Sequence, residues 1–329
     1  IGSGIAGISA ANTLLKNNKE VLVIDKARNP GGRLSTREHP LFSFDHGAQF
    51  LTTRDSEFGK VVQQGLQNKE ITEFTHPEKG MVYIGNPVFK AFISRLTKTF
   101  DITQNALVKK IEKQTDKAID PWRISVKNKK PIFANRIILT TPAPQTYSLI
   151  PDFLTELKVT SIKAKYHPCI ATLVGIEISE LPSINLSNHL TELNPILLTK
   201  GNIEWSIAKW SRSKDDTTIY LSVIIHANLA FSSKHLEGDV NKLAHRLWQE
   251  WKSHVNEGAT PDISFLPKHV AYLKGHKWRY AKVSKTPDKW NIRTNRKHKF
   301  ALAGDWLVGP RIESAWISGR DAANSLLQK

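Results

Sequence analysis

Glycines at positions 2, 4 and 7 open the chain as Ile1-Gly2-Ser3-Gly4-Ile5-Ala6-Gly7. Ile8-Ser9-Ala10-Ala11-Asn12-Thr13-Leu14-Leu15 then reads as a helix, and Val21-Leu22-Val23-Ile24 as a strand ending on Asp25. Turn, helix, strand and acid in this order predict a dinucleotide-binding βαβ unit. Gly2 permits the tight turn, Gly4 lets backbone approach a pyrophosphate, and Gly7 lets helix and strand pack closely. The helix start through Ser3, Ile5 and Ala6 offers N–H groups and a partial positive charge to the phosphates. Asp25, with Lys26 beside it, is placed to accept hydrogen bonds from a ribose. The motif by itself leaves NAD and FAD open. The strand expected before Gly2 is represented only by Ile1, so a few further apolar residues are expected ahead of it.

A chain of 329 residues can bury a sizeable core and is expected to hold two domains. No apolar run approaches the length of a membrane span, and no secretory signal is visible. A single cysteine, Cys169, excludes an internal disulfide and a thiolate metal cluster, and fits a reducing, cytoplasmic setting. It opens the apolar run Cys169-Ile170-Ala171-Thr172-Leu173, which predicts a buried structural thiol. The net charge of +17 is the outlying feature. It is spread along the chain, with only short clusters such as Lys127-Asn128-Lys129-Lys130 and Arg293 to Lys299. A solvated basic surface accounts for it, and such a field also steers anionic substrates; nucleic acid is not an expected partner. No H-E-x-x-H, G-x-S-x-G or cysteine ligand pair supports a metal site or a serine hydrolase.

After Asp25 the loop Lys26-Ala27-Arg28-Asn29-Pro30-Gly31-Gly32-Arg33-Leu34-Ser35-Thr36-Arg37 carries arginines suited to passing near phosphates. Phe42-Ser43-Phe44-Asp45-His46-Gly47-Ala48-Gln49-Phe50 follows, with a Gly-Ala step that lets backbone near a flat ligand. Together these segments resemble the flavin-dependent amine-oxidase superfamily and, more narrowly, its bacterial renalase-like branch. The resemblance implies that Gly32 and Arg33 lie along the FAD pyrophosphate and ribityl chain. It implies that Gly47, Ala48 and Gln49 lie by the isoalloxazine, and that the backbone of Val108 holds the adenine.

Residues 55–83 read as a small helical excursion ending near Met81-Val82-Tyr83. Residues 87–96 have helical spacing, and strands are expected at 106–108, 122–126 and 136–139. Beyond 146 the stretches 170–178, 203–210 and 218–227 read as an antiparallel sheet. One face of the last carries Tyr220, Ser222, Ile224 and His226, suited either to a substrate roof or to solvent. Residues 239–255 form an amphipathic helix whose Trp248 and Trp251 are expected in the core. The aromatic and basic cluster Lys274 to Ala281 resembles the renalase-like strand that returns beside the flavin.

Near the end, Phe300-Ala301-Leu302-Ala303 is a short buried strand leading to Gly304-Asp305, and a helix begins near Arg311 and Ile312. Asp305 thus stands at a strand's carboxyl end, where ligands bind in such sheets. The resemblance gives it a ribityl hydroxyl and turns the helix start toward the flavin N1/O2 edge, which favours FAD over NAD. With no cysteine near these motifs, the FAD is expected to be noncovalent.

The expected fold is α/β: a Rossmann-like FAD-binding domain (1–54, 84–145 and 266–329) interleaved with an α+β substrate domain (55–83 and 146–265) on an antiparallel sheet. One dinucleotide fingerprint, rather than two, favours molecular oxygen as final electron acceptor. The resemblance implies an oxidase acting on a small substrate, an isomer of dihydro-NAD(P), with an amine oxidase or desaturase as the alternative. His46, Gln49, His226, Trp278 and Arg279 are the candidate substrate-positioning residues.

Overall fold

The computed structural model describes residues 1–76, 78–114, 121–178, 199–212, 218–258, 270–289 and 292–328. They divide into two compact units: Ile1–Ser35, Phe50–Tyr166 and Val283–Lys329 form the first, and Thr36–Gln49 and His167–Lys282 the second.

In the first unit, Ile137–Leu139 pairs in parallel with Phe300–Leu302, although more than 160 residues separate them. Leu22–Ile24 pairs in parallel with Asp101–Thr103. Between these pairs runs Ile1-Gly2: Thr140 N donates to Ile1 O (2.9 Å) and Gly2 N to Ile24 O (2.8 Å). Because side chains alternate along a strand, the central strands serve two cores. Ile137, Leu139, Phe300 and Leu302 face one cluster, with Val108, Ile111, Trp122 and Ile124 of a three-stranded antiparallel sheet. Ala301 and Ala303, with partly buried Ile138, face the other, with Ala6, Ala322 and Leu326 from the helices Ile5–Lys16 and Ile312–Leu327. The alanines there are a packing requirement: a Cβ on Gly319 would strike the Ala6 carbonyl, so these two helices meet backbone to backbone.

Residues 55–83, expected in the second domain, pack in the first unit. They form the helix Ser56–Gln67 and the hairpin of Ile71–His76 with Gly80–Gly85, so Met81-Val82-Tyr83 is strand rather than helix end. Asp55 caps the helix by accepting from Phe58 N (2.9 Å), and Phe58 and Val62 are fully buried. Phe58 meets Trp316 at 5.6 Å between ring centroids, which holds this segment to the C-terminal helix.

The second unit is a four-stranded sheet in the order Ile203–Arg212, Ile219–Ala227, Lys165–Ile178, Tyr272–Lys285, whose first three strands are antiparallel. Leu221, Val223 and Ile225 point to one face, where Leu247, Trp248, Trp251 and Val255 of the helix Val240–Gly258 cover them. Trp248 and Trp251 stack at 5.1 Å, and Trp251 Nε1 donates to Ser206 Oγ (3.0 Å). Both are core residues, as their spacing predicts.

The opposite face, with Ile224 and partly buried Tyr220, is neither solvated nor an open roof. It packs on Phe42, Phe44, Tyr272 and Trp278. This explains why 36–49 belongs to the second unit rather than the first: Phe42 and Phe44 find their core there. The expected boundary at 265/266 lies outside the described residues. Cys169 is half-buried, and burial pushes its thiol up to about 12, which suits an inert structural role. Among the described residues no helix is long and apolar enough to cross a membrane.

Candidate functional site

The candidate residues gather in two constellations, one in each unit. In the first unit the opening turn is closed from within. Asp25 accepts from Ser3 N (2.5 Å) and Ser3 Oγ (2.7 Å) through Oδ2, and from Ala27 N (2.8 Å) through Oδ1. The carboxylate expected to meet a ribose therefore also ties the two ends of the βαβ unit together. Gly31 N donates to Ser3 O (2.8 Å), and Gly32 has φ +58° with its Cα against Gly4. The two glycine turns thus lie against each other, an approach that a side chain on Gly32 would prevent (a Cβ there would lie 3.1 Å from Gly4 Cα).

The glycines differ in what demands them. A Cβ on Gly7 would collide with the Gly2 carbonyl oxygen, so packing explains that position. Gly4 has an ordinary φ of −70°, and the nearest protein atom to a Cβ there is Gly32 Cα at 4.0 Å. Nothing among the described residues requires glycine at 4. Gly4 is also the N-cap of Ile5–Lys16, with no side-chain cap and no acidic residue in the first turn. A helix start with open amides and a vacant flank is suited to a phosphate group.

A second such start lies at Arg311, the N-cap of Ile312–Leu327, which also lacks a side-chain cap hydrogen bond. In its first turn Ser314 is buried and its Oγ has no hydrogen-bond partner among the described residues. An orphaned hydroxyl of this kind is costly unless a further group satisfies it. Glu313, beside it, is buried and accepts from Arg54 N and from Asp55 N (2.6 Å), pinning 54–55 to the helix start. Sequence reading missed both residues; a carboxylate in the first turn of a helix is the signal that marks Glu313. Gly304 N donates to Ser318 Oγ (3.0 Å), and buried Asp305 accepts from Arg33 Nη2 (2.5 Å). Burial opposes the Arg33 charge, but attraction and hydrogen bonding to Asp305 more than offset it and raise its pKa. The open flank at Gly4 and the orphaned Ser314 both fit a dinucleotide cofactor. Lys26 instead reaches Gln145 (3.2 Å), and Val108 stands at a bulge in its pairing with Trp122–Val126.

In the second unit the structure brings together His46, Gln49, His226 and Trp278. The His46 carbonyl accepts from Trp278 Nε1 (2.9 Å) and lies 3.1 Å from His226 Nε2. The His46 ring tilts against Trp278 at 5.0 Å and meets His276 edge-on at 4.8 Å. Gln49 Nε2 donates to Asp45 O (2.6 Å), and Asp45 accepts from Thr36 Oγ1 (2.6 Å). His46 is buried, and its Nδ1 has no hydrogen-bond partner among the described residues. Burial, then His276 and Arg37, push the His46 pKa down to about 3. Burial and then Arg37 push His276 down to about 4, while burial lowers His226 as well. All three imidazoles are neutral at physiological pH.

Arg279 does not join them. Strand alternation turns it to the other face, where its exposed guanidinium holds Glu237 at 2.6 and 3.1 Å. The same alternation puts His276 with Trp278, a residue sequence reading passed over. Arg37, expected along phosphates with Arg28 and Arg33, instead meets His276 Nδ1 at 3.1 Å.

Comparison with known proteins bears on the fold. Residues 1–64 match the NAD(P)-binding Rossmann-like domain family. The opening is a Rossmann-like domain. The chain also shares its fold with cyclohexylamine oxidase from Brevibacterium oxydans (TM-score 0.67, 11% identity, covering 99% of this chain and 97% of that one). An Exiguobacterium protein assigned as a protoporphyrinogen oxidase (TM-score 0.68, 13% identity) covers the same shares. So does a triple mutant of putrescine oxidase redesigned in its cofactor binding (TM-score 0.65, 10% identity). At these identities the likeness is one of fold: a Rossmann-like α/β domain interleaved with a second domain on an antiparallel sheet.

Proposed function

We propose that this protein is an FAD-dependent oxidase of small reduced molecules, acting in renalase-like fashion on isomers of dihydro-NAD(P). The observation that carries the FAD reading is the pair of uncapped helix starts, at Gly4 and Arg311, within one unit that also joins Arg33 to Asp305. Ser3, Gly4, Ile5, Ala6 and Gly7 would hold the pyrophosphate, with Gly32 and Arg33 beside it and the backbone of Val108 at the adenine. Asp305 and the first turn at Arg311, Ile312 and Ser314 would hold the ribityl and ring end. Bound FAD would supply a two-electron acceptor that passes its electrons to molecular oxygen. A helix start at that end stabilises negative charge.

The state of the histidines supports the substrate. Oxidising an alkylamine requires its ammonium to lose a proton first, so a competent base helps. His46 and His276 accept protons only near pH 3–4, which makes them poor bases at neutral pH. A dihydropyridine needs no such base, because loss of a hydride, one proton with two electrons, gives an aromatic pyridinium directly. His46, Gln49, His226 and Trp278 would then orient the ring and exclude water. The purified protein should show flavin absorbance that bleaches anaerobically with isomeric dihydro-NAD(P) and returns in air. A colourless protein that does not take up FAD overturns the cofactor assignment. Bleaching by amines but not by dihydropyridines overturns the substrate.

A further inference from the structure

Arg37 has no carboxylate partner among the described residues. The residue is half-buried, and its only side-chain hydrogen bond there is to a histidine, His276 Nδ1 at 3.1 Å. Because a guanidinium has no acceptor, this contact makes Nδ1 the acceptor and leaves the His276 proton on Nε2. The His276 ring meets Trp278 at 4.4 Å and His46 at 4.8 Å. His46, beyond it, keeps Nδ1 without a partner although the residue is 6% exposed. Asp45, next to Phe44 on the strand that pairs with Arg37, accepts from Thr36 Oγ1 and lies 3.8 Å from Lys209 Nζ. Arg37 is therefore a half-buried positive charge with no carboxylate on it among the described residues, and that charge helps to keep both imidazoles neutral. A desolvated cation without a counter-ion is unfavourable unless a ligand supplies one, and a planar guanidinium matches an oxyanion in two-point fashion.

We infer that Arg37 is an oxyanion anchor: its guanidinium binds a carboxylate or phosphate carried by the substrate through the N–H groups that His276 Nδ1 leaves free. The inference deepens the oxidase reading above and rests on it for the identity of the substrate. It makes the enzyme selective for anionic reductants, and it assigns that selectivity to a residue outside the dinucleotide motifs.

The test uses the flavin-loaded protein and three matched reductants: an isomeric dihydronicotinamide riboside, its 5′-phosphate, and the riboside with the ring carboxamide replaced by carboxylate. At least one anionic form should reduce the flavin with a KM roughly tenfold or more below that of the neutral riboside, the ratio expected for one charge-assisted hydrogen bond. Arg37→Gln should abolish that preference, and Arg37→Lys should restore part of it. Lys274→Gln, an exposed change on the same strand, should leave it intact. Which anion is preferred separates phosphate from carboxylate. Equal use of all three, or a preference that survives Arg37→Gln, overturns the anchor.

A second measurement needs no substrate. Modification of Arg37 by phenylglyoxal, followed by peptide mapping, should slow several-fold in inorganic phosphate or acetate, while exposed Arg28 reacts unchanged. If no dihydropyridine reduces the flavin, the proposed substrate fails. Protection of Arg37 would then still support an anchor for another oxyanion-bearing reductant, and absence of protection would overturn it.

Discussion

Arg33 Nη2 donates to Asp305 Oδ1 at 2.5 Å, joining residues 272 positions apart. The bond links the glycine-rich loop after Leu22–Ile24 to the segment that follows Phe300–Leu302. Those are the two places where the dinucleotide motifs of the sequence lie. Asp305 is the more buried partner, at 7% side-chain exposure against 30% for Arg33. Arg33→Ala should therefore strand a buried carboxylate and cost about 1–3 kcal/mol. Chemical denaturation measures the loss. Flavin content of the purified variant, expected to fall with it, tests whether the pair also serves the cofactor.

Gly4 and Gly7 should respond to alanine in opposite ways. Gly7→Ala collides with the Gly2 carbonyl and should prevent folding or lower stability by several kcal/mol. Gly4→Ala makes only an ordinary contact with Gly32 Cα and should cost about 1 kcal/mol or less without ligand. Its effect should appear as lost FAD affinity. Equal flavin content in Gly4→Ala and wild type would mean that nothing bound fills that flank.

The histidine cluster predicts acid sensitivity. Folded His46 and His276 hold their protons only near pH 3 and 4, whereas the unfolded chain takes them up near the ordinary 6.5. The unfolded state then binds more protons throughout that window, so stability is complete above about pH 6.5 and falls as pH drops toward 4. Each histidine contributes a slope of up to about 1.4 kcal/mol per pH unit. Denaturant titrations at several pH values measure it, and His46→Asn should flatten the curve. A profile equally steep in that variant would contradict the burial argument.

Trp251 tests the second core. Its indole is fully buried and bonded to Ser206 Oγ. Trp251→Ala should cost about 3–5 kcal/mol, and Ser206→Ala about 1–3 kcal/mol for the orphaned indole N–H. Both losses should appear in thermal unfolding, with KM for the reductant unchanged in whatever folded enzyme remains.

Arg279 should be dispensable. Its exposed pair with Glu237 lies on the strand face opposite Trp278. Arg279→Gln should leave melting temperature and turnover where they are, whereas Trp278→Phe, which loses the bond to the His46 carbonyl, should lower turnover. A loss of activity in Arg279→Gln comparable to Trp278→Phe would return it to the site.

Much of this arrangement is legible before any fold is known, because it is local. Gly2, Gly4 and Gly7 stand at spacings that only a tight turn into a helix uses, and the helix Ile5–Lys16 and strand Leu22–Ile24 follow where the pattern places them. The apolar stripe of Val240–Gly258 likewise marks Trp248 and Trp251 as core. Period-two alternation would also have joined His276 to Trp278 and separated Arg279 from both.

Tertiary structure alone decided the rest, because it depends on partners far along the chain. Phe42 and Phe44 alternate like any short strand, and only the core that receives them assigns 36–49 to the second unit. Arg28, Arg33 and Arg37 are alike in sequence, yet Arg33 meets a carboxylate and Arg37 a neutral histidine. What a charged side chain does is set by the charge and water left around it, and neither is written in its neighbours along the chain.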